Sequence, residues 1–389
     1  MGRRLRGDFK WSNDQEHQRQ NTYEPEVNNH VHGDIFSNWP NGSSAWSTTC
    51  PQDLINSLSW GAFVKGLPSM GDRRRLDSMN LEQAKAMNLP ILVAALAALV
   101  GFLPITAQTN TTTFEVTPPP AELKVDPFYK KYVSAGGLPV LASEKVNDYA
   151  LKEAAFLVTE MLALRPDVLR AMIKSGSRFC VIGYNEYTTD LPGWTHLKPK
   201  DYWDARARGM GGSRTDPLCS CAEENVLGYP GDPYSTESIV IHELAHNIHL
   251  RGVINVDDTF DGRLQQAYDN AMAKGLWAGK YASVNHHEYF AEGVQSWFDN
   301  NRPPDHDHNH VDTRKELIAY DPGLADLCRE VFGETKLTYT KPATRLTGHL
   351  KGYDPSKAPN FEWPERLLEA KARIRREAEL RSKLGKKEK

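Results

Sequence analysis

Residues 238–249 read SIVIHELAHNIH, which sets His242 and His246 four apart with Glu243 beside the first. At about 3.6 residues per turn, positions i and i+4 share one face of a helix. Both imidazoles can therefore point at one ion, and neutral imidazole is a good zinc ligand. Glu243 lies on the same side, where a carboxylate can serve as general base toward a water on the metal. The flanking SIVI and LA are apolar, as expected of a buried helix over 238–251. Ser235 or Thr236 can cap it, and Glu237 suits the positive end of its dipole.

A catalytic zinc needs a third protein ligand and one position left open for water. The compact completion H-E-x-x-H-x-x-G-x-x-H is excluded, because Gly252 falls at the wrong offset and no histidine follows at the required spacing. A histidine or aspartate elsewhere could serve, but a second helix offers better. In NHHEYFAEGVQSWFD, Glu288 and Glu292 are again four apart, while Phe290, Ala291 and Val294 would pack the other faces. One carboxylate can bind the ion. The other can accept a hydrogen bond from the far nitrogen of a ligating histidine and so fix its tautomer. Two acids on an otherwise apolar helix are costly to bury without such partners.

HELAH followed by EYFAE some forty residues on resembles a gluzincin zinc peptidase, and the EYFAE form is most similar to the anthrax lethal factor-like peptidases. The resemblance covers roughly 235–300. It implies one catalytic zinc on His242, His246 and Glu288, with Glu292 supporting a zinc-bound histidine. It also implies that Tyr281, seven residues before Glu288, stabilises the oxyanion, a role for which a phenol is a suitable donor. Beyond that stretch nothing in the chain is specific enough to carry over a substrate.

Other histidines and arginines are weighed against ordinary structural roles. His249 lies near His246 but reads as structural, and His286 and His287 either line the cleft or are exposed. His306, His308 and His310, in PDHDHNHVD, read as a solvated acidic loop rather than a second metal site. Arg206, Arg208 and Arg214 could bind a substrate carboxylate, although surface charge is the default.

The chain has 389 residues, a net charge of −3 and 25% charged residues, so no bulk electrostatic feature points to nucleic acid. Residues 1–86 are polar and lack any sustained period, which fits a disordered extension or a mis-assigned start ahead of Met79 or Met87. Residues 87–108, MNLPILVAALAALVGFLPITAQ, form either a cleaved signal peptide or a signal anchor that would hold the chain in a membrane through 89–107. Either way the remainder is expected outside the cytoplasm, secreted or anchored. Asn110 begins an N-glycosylation sequon, and Cys180, Cys219, Cys221 and Cys328 are expected to form two disulfides. Cys219 and Cys221 would pair with the two distant cysteines, because a bridge across so short a loop is strained; the other reading of CSC is a metal site.

Residues 109–125 read as a linker, 126–355 as the metallopeptidase domain and 356–389 as a charged helical tail. Within the domain the pattern predicts two helices over 146–176, with Pro166 opening the second and Gly176 closing it. A buried strand follows at 177–184. Residues 188–217 read as a glycine-rich loop, which either borders a functional cleft or is ordinary surface. Further helices are expected over 262–275, 286–299, 313–320 and 323–333. The expected fold class is α+β: a small sheet with the HELAH helix in one lobe, and a mainly helical second lobe carrying Glu288. The expected function is zinc-dependent endopeptidase cleavage of a peptide or protein substrate, by a zinc-bound water that Glu243 activates. The alternatives are a non-catalytic extracellular binding module that keeps zinc as a structural element, and a zinc hydrolase of a non-peptide amide. Substrate preference and oligomeric state are not legible.

Overall fold

The structure is a computed structural model that describes residues 114–385, apart from His306. The polar extension, the apolar 87–108 segment and the Asn110 sequon lie outside the described residues.

The elements in chain order begin with a hairpin, β1 (Lys131–Ala135) and β2 (Leu138–Ala142), then helices α1 (Asp148–Met161) and α2 (Pro166–Lys174). Strand β3 (Arg178–Ile182), helix α3 (Lys200–Arg206), and strands β4 (Gly209–Met210) and β5 (Leu218–Ala222) follow. Then come α4 (Glu223–Leu227), α5 (Ile239–Asn247), α6 (Phe260–Ala273), α7 (His286–Trp297), α8 (Arg314–Tyr320), α9 (Pro322–Phe332) and α10 (Glu365–Gly385).

The strands form one five-stranded sheet in the order β1-β2-β3-β5-β4. β2, β3 and β5 run parallel, and the outer pairs are antiparallel. Side chains alternate between the two faces, as period-two strands require. Val140, Phe179, Val181, Cys219 and Cys221 join the main core beneath α1 and α5. Leu141, Cys180, Ile182 and Leu218 point the other way, into a smaller core closed by Tyr129, Leu191 and Trp194. The arrangement is a mixed α+β fold, with most of its helices following the sheet in sequence.

Several expected elements lie where the periodicity puts them. Pro166 opens α2, and Gly176 ends that helix region at φ +81°, in the left-handed region that favours glycine. β3 is the buried apolar run, and α6 to α9 fall on their predicted stretches. Three details differ. Chain read as linker already belongs to the folded body, since Phe114 is buried and Thr117 bridges Tyr132. The loop 188–217 contains α3 and the edge strand β4. The first half of the charged tail is docked, because Leu367, Ala370 and Ile374 bury against Tyr187 and Ala205. Among the described residues no helix is long and apolar enough to cross a membrane.

The expected disulfides are not formed. All four thiols are free and buried. The sheet explains part of this. Cys180 lies on one face, while Cys219 and Cys221 lie on the other, and Cys328 sits in α9. Burial raises all four thiols above their ordinary value, Cys180 to about 11, so they act as small apolar side chains.

Arg208 also departs from expectation. It is buried, holds Glu224 through Nε at 2.5 Å and Nη2 at 3.0 Å, and donates to the carbonyls of Glu186 and Gly183. It ties the loop to α4 and is not presented to a substrate. Arg208→Ala is therefore expected to cost about 3–5 kcal/mol of stability by stranding a buried carboxylate, measured by denaturant unfolding. A loss confined to substrate affinity would contradict the structural role.

Candidate active site

Helices α5 and α7 pack directly against each other in the main core, and the residues singled out by spacing meet at their contact. α5 is held at its start from outside its own sequence. The Ile239 amide donates to Asn225 Oδ1 at 2.7 Å and the Ser238 amide to Asn300 Oδ1 at 2.5 Å. These two asparagines take the place of the expected Ser235 or Thr236 cap. Asn225 in turn donates to Asp232 and to the carbonyls of Tyr234 and Glu237. At its far end α5 continues through one wider turn, Ile248–Gly252, a distortion often found at functional sites. α7 begins at Asn285, whose side chain accepts from the Glu288 amide at 2.9 Å.

Across this contact His242 Nε2, His246 Nε2 and Glu288 Oε2 converge. The two imidazole nitrogens are 3.2 Å apart, and the carboxylate oxygen lies 3.1 Å from His242 and 3.3 Å from His246. All three residues are buried. A tetrahedral zinc with bonds of about 2.0–2.1 Å sets its ligand atoms roughly 3.3–3.4 Å apart. The observed triangle has nearly that size. Glu288 Oε1 is buried with no hydrogen-bond partner, as suits a carboxylate that awaits a cation. The donor set of two imidazoles and one carboxylate therefore fits a zinc ion. Burial alone would raise the Glu288 carboxyl; positive charge on the facing His246 and His242 rings would hold it below the usual carboxylate range, a part a bound cation plays when the rings are neutral.

The tautomer of His242 follows from its neighbours. Glu237 Oε1 takes the Arg302 guanidinium, at 2.8 Å from Nε and 2.7 Å from Nη2. Its other oxygen, Oε2, accepts from Gln295 Nε2 at 2.8 Å. A carboxylate only accepts, so the amide nitrogen of Gln295 faces Glu237 and its oxygen faces His242. That oxygen, at 2.8 Å, takes the proton of His242 Nδ1. In the neutral ring, Nε2 is then left with its lone pair toward the centre.

The role expected of Glu292 thus falls to Gln295. Glu292 Oε1 is 3.7 Å from His242 Nδ1, too far for a hydrogen bond. Glu292 Oε2 instead accepts from Asn301 Nδ2 at 3.0 Å and lies 3.4 Å from His308 Nε2. His308 also contacts Asp305 at 2.9 Å, so it is a buried packing partner of Glu292, not part of a solvated loop. His310 stacks edge-on against Tyr320. Gln295 was missed, although it sits seven positions after Glu288, on the same helix face.

Glu243 is buried beside His242, and Tyr281 is buried with its ring 6.3 Å from the His242 ring. Tyr281 begins a short turn, Tyr281–Ser283, and its amide donates to Asp307 O at 2.8 Å. The glycine-rich loop does border the centre. A Cβ on Gly211 would come within 2.4 Å of His246 Cβ, and one on Gly209 within 3.0 Å of Glu243 Cγ. Edge strand β4 and the residue after it therefore run against α5 at Glu243 and His246.

The remaining candidates lie one turn further on. His249 is fully buried, and its Nε2 is 3.0 Å from Asp261 Oδ1. Arg214 pairs with Asp261 Oδ2 at 2.9 Å and is otherwise exposed, while Arg206 lies over Trp203. A groove of about 620 Å³ between α6 and α9 contains none of these residues.

No family model matches the chain, and no curated protein matches it. Membership of the lethal factor-like family thus has no support beyond HELAH and EYFAE themselves. Among solved structures, a Pro-Pro endopeptidase (PPEP-2) from Paenibacillus alvei is similar at a TM-score of 0.35 and 17% identity, over 50% of this chain and 97% of that chain. The functional reading rests on side-chain geometry.

Gln295→Leu is expected to lower zinc affinity by about 10–100-fold, because His242 loses the acceptor that fixes its tautomer. Competition against a chromogenic chelator measures this. An unchanged affinity would show that the Gln295 contact does not orient the ligand.

Proposed function

We propose that the chain is a zinc-dependent endopeptidase of the gluzincin type. The observation that carries this reading is the convergence of His242 Nε2, His246 Nε2 and Glu288 Oε2 within 3.1–3.3 Å of one another, next to Glu243. A structural zinc site has no need of a carboxylate base beside its ligands, and a closed site would offer a fourth protein ligand. Among the described residues the metal-binding group at this point has three members.

His242, His246 and Glu288 would hold the ion, which supplies Lewis acidity to a water and to the scissile carbonyl. Glu243 takes a proton from the attacking water as its oxygen bonds to the carbonyl carbon. The same carboxyl returns that proton to the amine as the C–N bond breaks. The Tyr281 hydroxyl donates to the developing oxyanion.

The test compares the full chain with its Glu243→Gln form, measuring bound zinc and cleavage of a diverse peptide library. The parent should cleave and the variant should lose about 10²–10⁴-fold in rate, with both retaining zinc at this site. Zinc in both and cleavage by neither would favour the binding module. Tyr281→Phe should lower kcat by about 10²-fold with little change in KM. A parallel rise in KM alone would assign Tyr281 to substrate binding.

A further inference from the structure

Next to the proposed centre a second group of metal-ligating side chains meets at one oxygen. Asp261 Oδ1, from the first turn of α6, lies 3.0 Å from His249 Nε2, 3.3 Å from His286 Nε2 and 3.9 Å from His287 Nε2. Ligand atoms of His249, Asp261 and His287 all fall within 4.8 Å of one another. The three come from separate segments: the wide turn after α5, the start of α6 and the start of α7.

Two further observations point to a cation. His249 is fully buried, and its Nδ1 makes no hydrogen bond. Its Nε2 faces Asp261 Oδ1 at 3.0 Å, a spacing that a shared ion fits as well as a shared proton. A buried imidazole left unsatisfied is otherwise costly. The other carboxylate oxygen, Asp261 Oδ2, is held by Arg214 at 2.9 Å. That contact turns Oδ1 toward the histidines, which is how outer partners orient a metal-binding carboxylate.

We infer that His249, Asp261 and His287, with His286 beside them, form a second divalent-metal site distinct from the one at His242. A set of imidazoles with one carboxylate suits zinc or a similar borderline ion, and does not suit calcium or magnesium, which take all-oxygen shells. The site does not depend on the peptidase reading. Its ion would join α5, α6 and α7 at the turn that leads into Glu288.

The experiment uses the full chain, stripped with chelator, reloaded with Zn2+ and freed of excess. Metal per chain is counted by plasma emission, and Tm is read with and without Zn2+. The parent should bind two ions. Asp261→Ala/His287→Ala should bind one, and because both positions are partly exposed, the retained ion also reports an intact fold. His242→Ala/His246→Ala should also bind one, and Zn2+ should still raise its Tm by about a few degrees. One ion in the parent, lost only with His242 and His246, overturns the inference. So does a second ion that survives the Asp261 and His287 changes, or a His242→Ala/His246→Ala chain that neither binds Zn2+ nor shifts in Tm. One ion lost only with Asp261 and His287 supports this site and counts against the peptidase reading.

Discussion

The hydrogen bond from His242 Nδ1 to Gln295 Oε1 decides what the buried centre can be. A buried imidazole has two neutral forms and one charged form, and only one of the three offers Nε2 as a ligand. Here the choice is made by a chain of contacts that starts at a permanent charge. Arg302 fixes Glu237, Glu237 fixes the amide of Gln295, and the amide oxygen takes the His242 proton. Each member is buried, so each link must be satisfied or the group costs free energy. The same chain sets the packing of α5 on α7, because Glu237 precedes the first helix and Gln295 belongs to the second.

That packing leaves little room, and glycine sits where a side chain would not fit. A Cβ on Gly211 would strike His246, and one on Gly293 would come within 2.6 Å of Leu324 Cδ2. The first glycine lets the edge strand lie against the HELAH helix, and Asn247 Nδ2 secures that approach by donating to Gly211 O at 3.1 Å. The second lets α9 press on α7 from behind. Asp321 strengthens that side: it caps α9 and accepts from Tyr289 and Trp277 at 2.6 and 2.9 Å. The carboxylate of Glu288 is thus placed by close packing on one side of its helix and faces His242 and His246 on the other.

What the sequence made legible was local. HELAH and EYFAE could be read because each puts its chemistry at i and i+4 on one helix, and Pro166 and Gly176 mark boundaries by their own backbone preferences. The missed contacts join distant positions. Gln295 meets Glu237 across 58 residues, Arg302 meets Glu237 across 65, and Asn225 caps a helix 14 residues away. No spacing rule exposes such pairs. The cysteines misled for a related reason: CSC suggests bridging, whereas on strand β5 it places two thiols on one face of a sheet whose other face carries Cys180. Arg208 looked like surface charge because nothing nearby in sequence announces Glu224 as its buried partner.

The two histidine groups also share their scaffold. α5 supplies His246 to one, and its wide final turn supplies His249 to the other. α7 supplies Glu288 to the first, and the preceding residue, His287, faces the second. Moving the start of α7 to suit one group therefore moves the other. Asn285, which caps α7 through the Glu288 amide, sits at the pivot of both. A carboxylate on a helix's first turn is easily displaced, since helix ends fray. Here that turn is held by a cap, by the Asp261 contacts of His286 and by close packing of Phe290 against His249 and Phe260. The cluster around Asp261 thus bears directly on how firmly Glu288 faces the two histidines of α5.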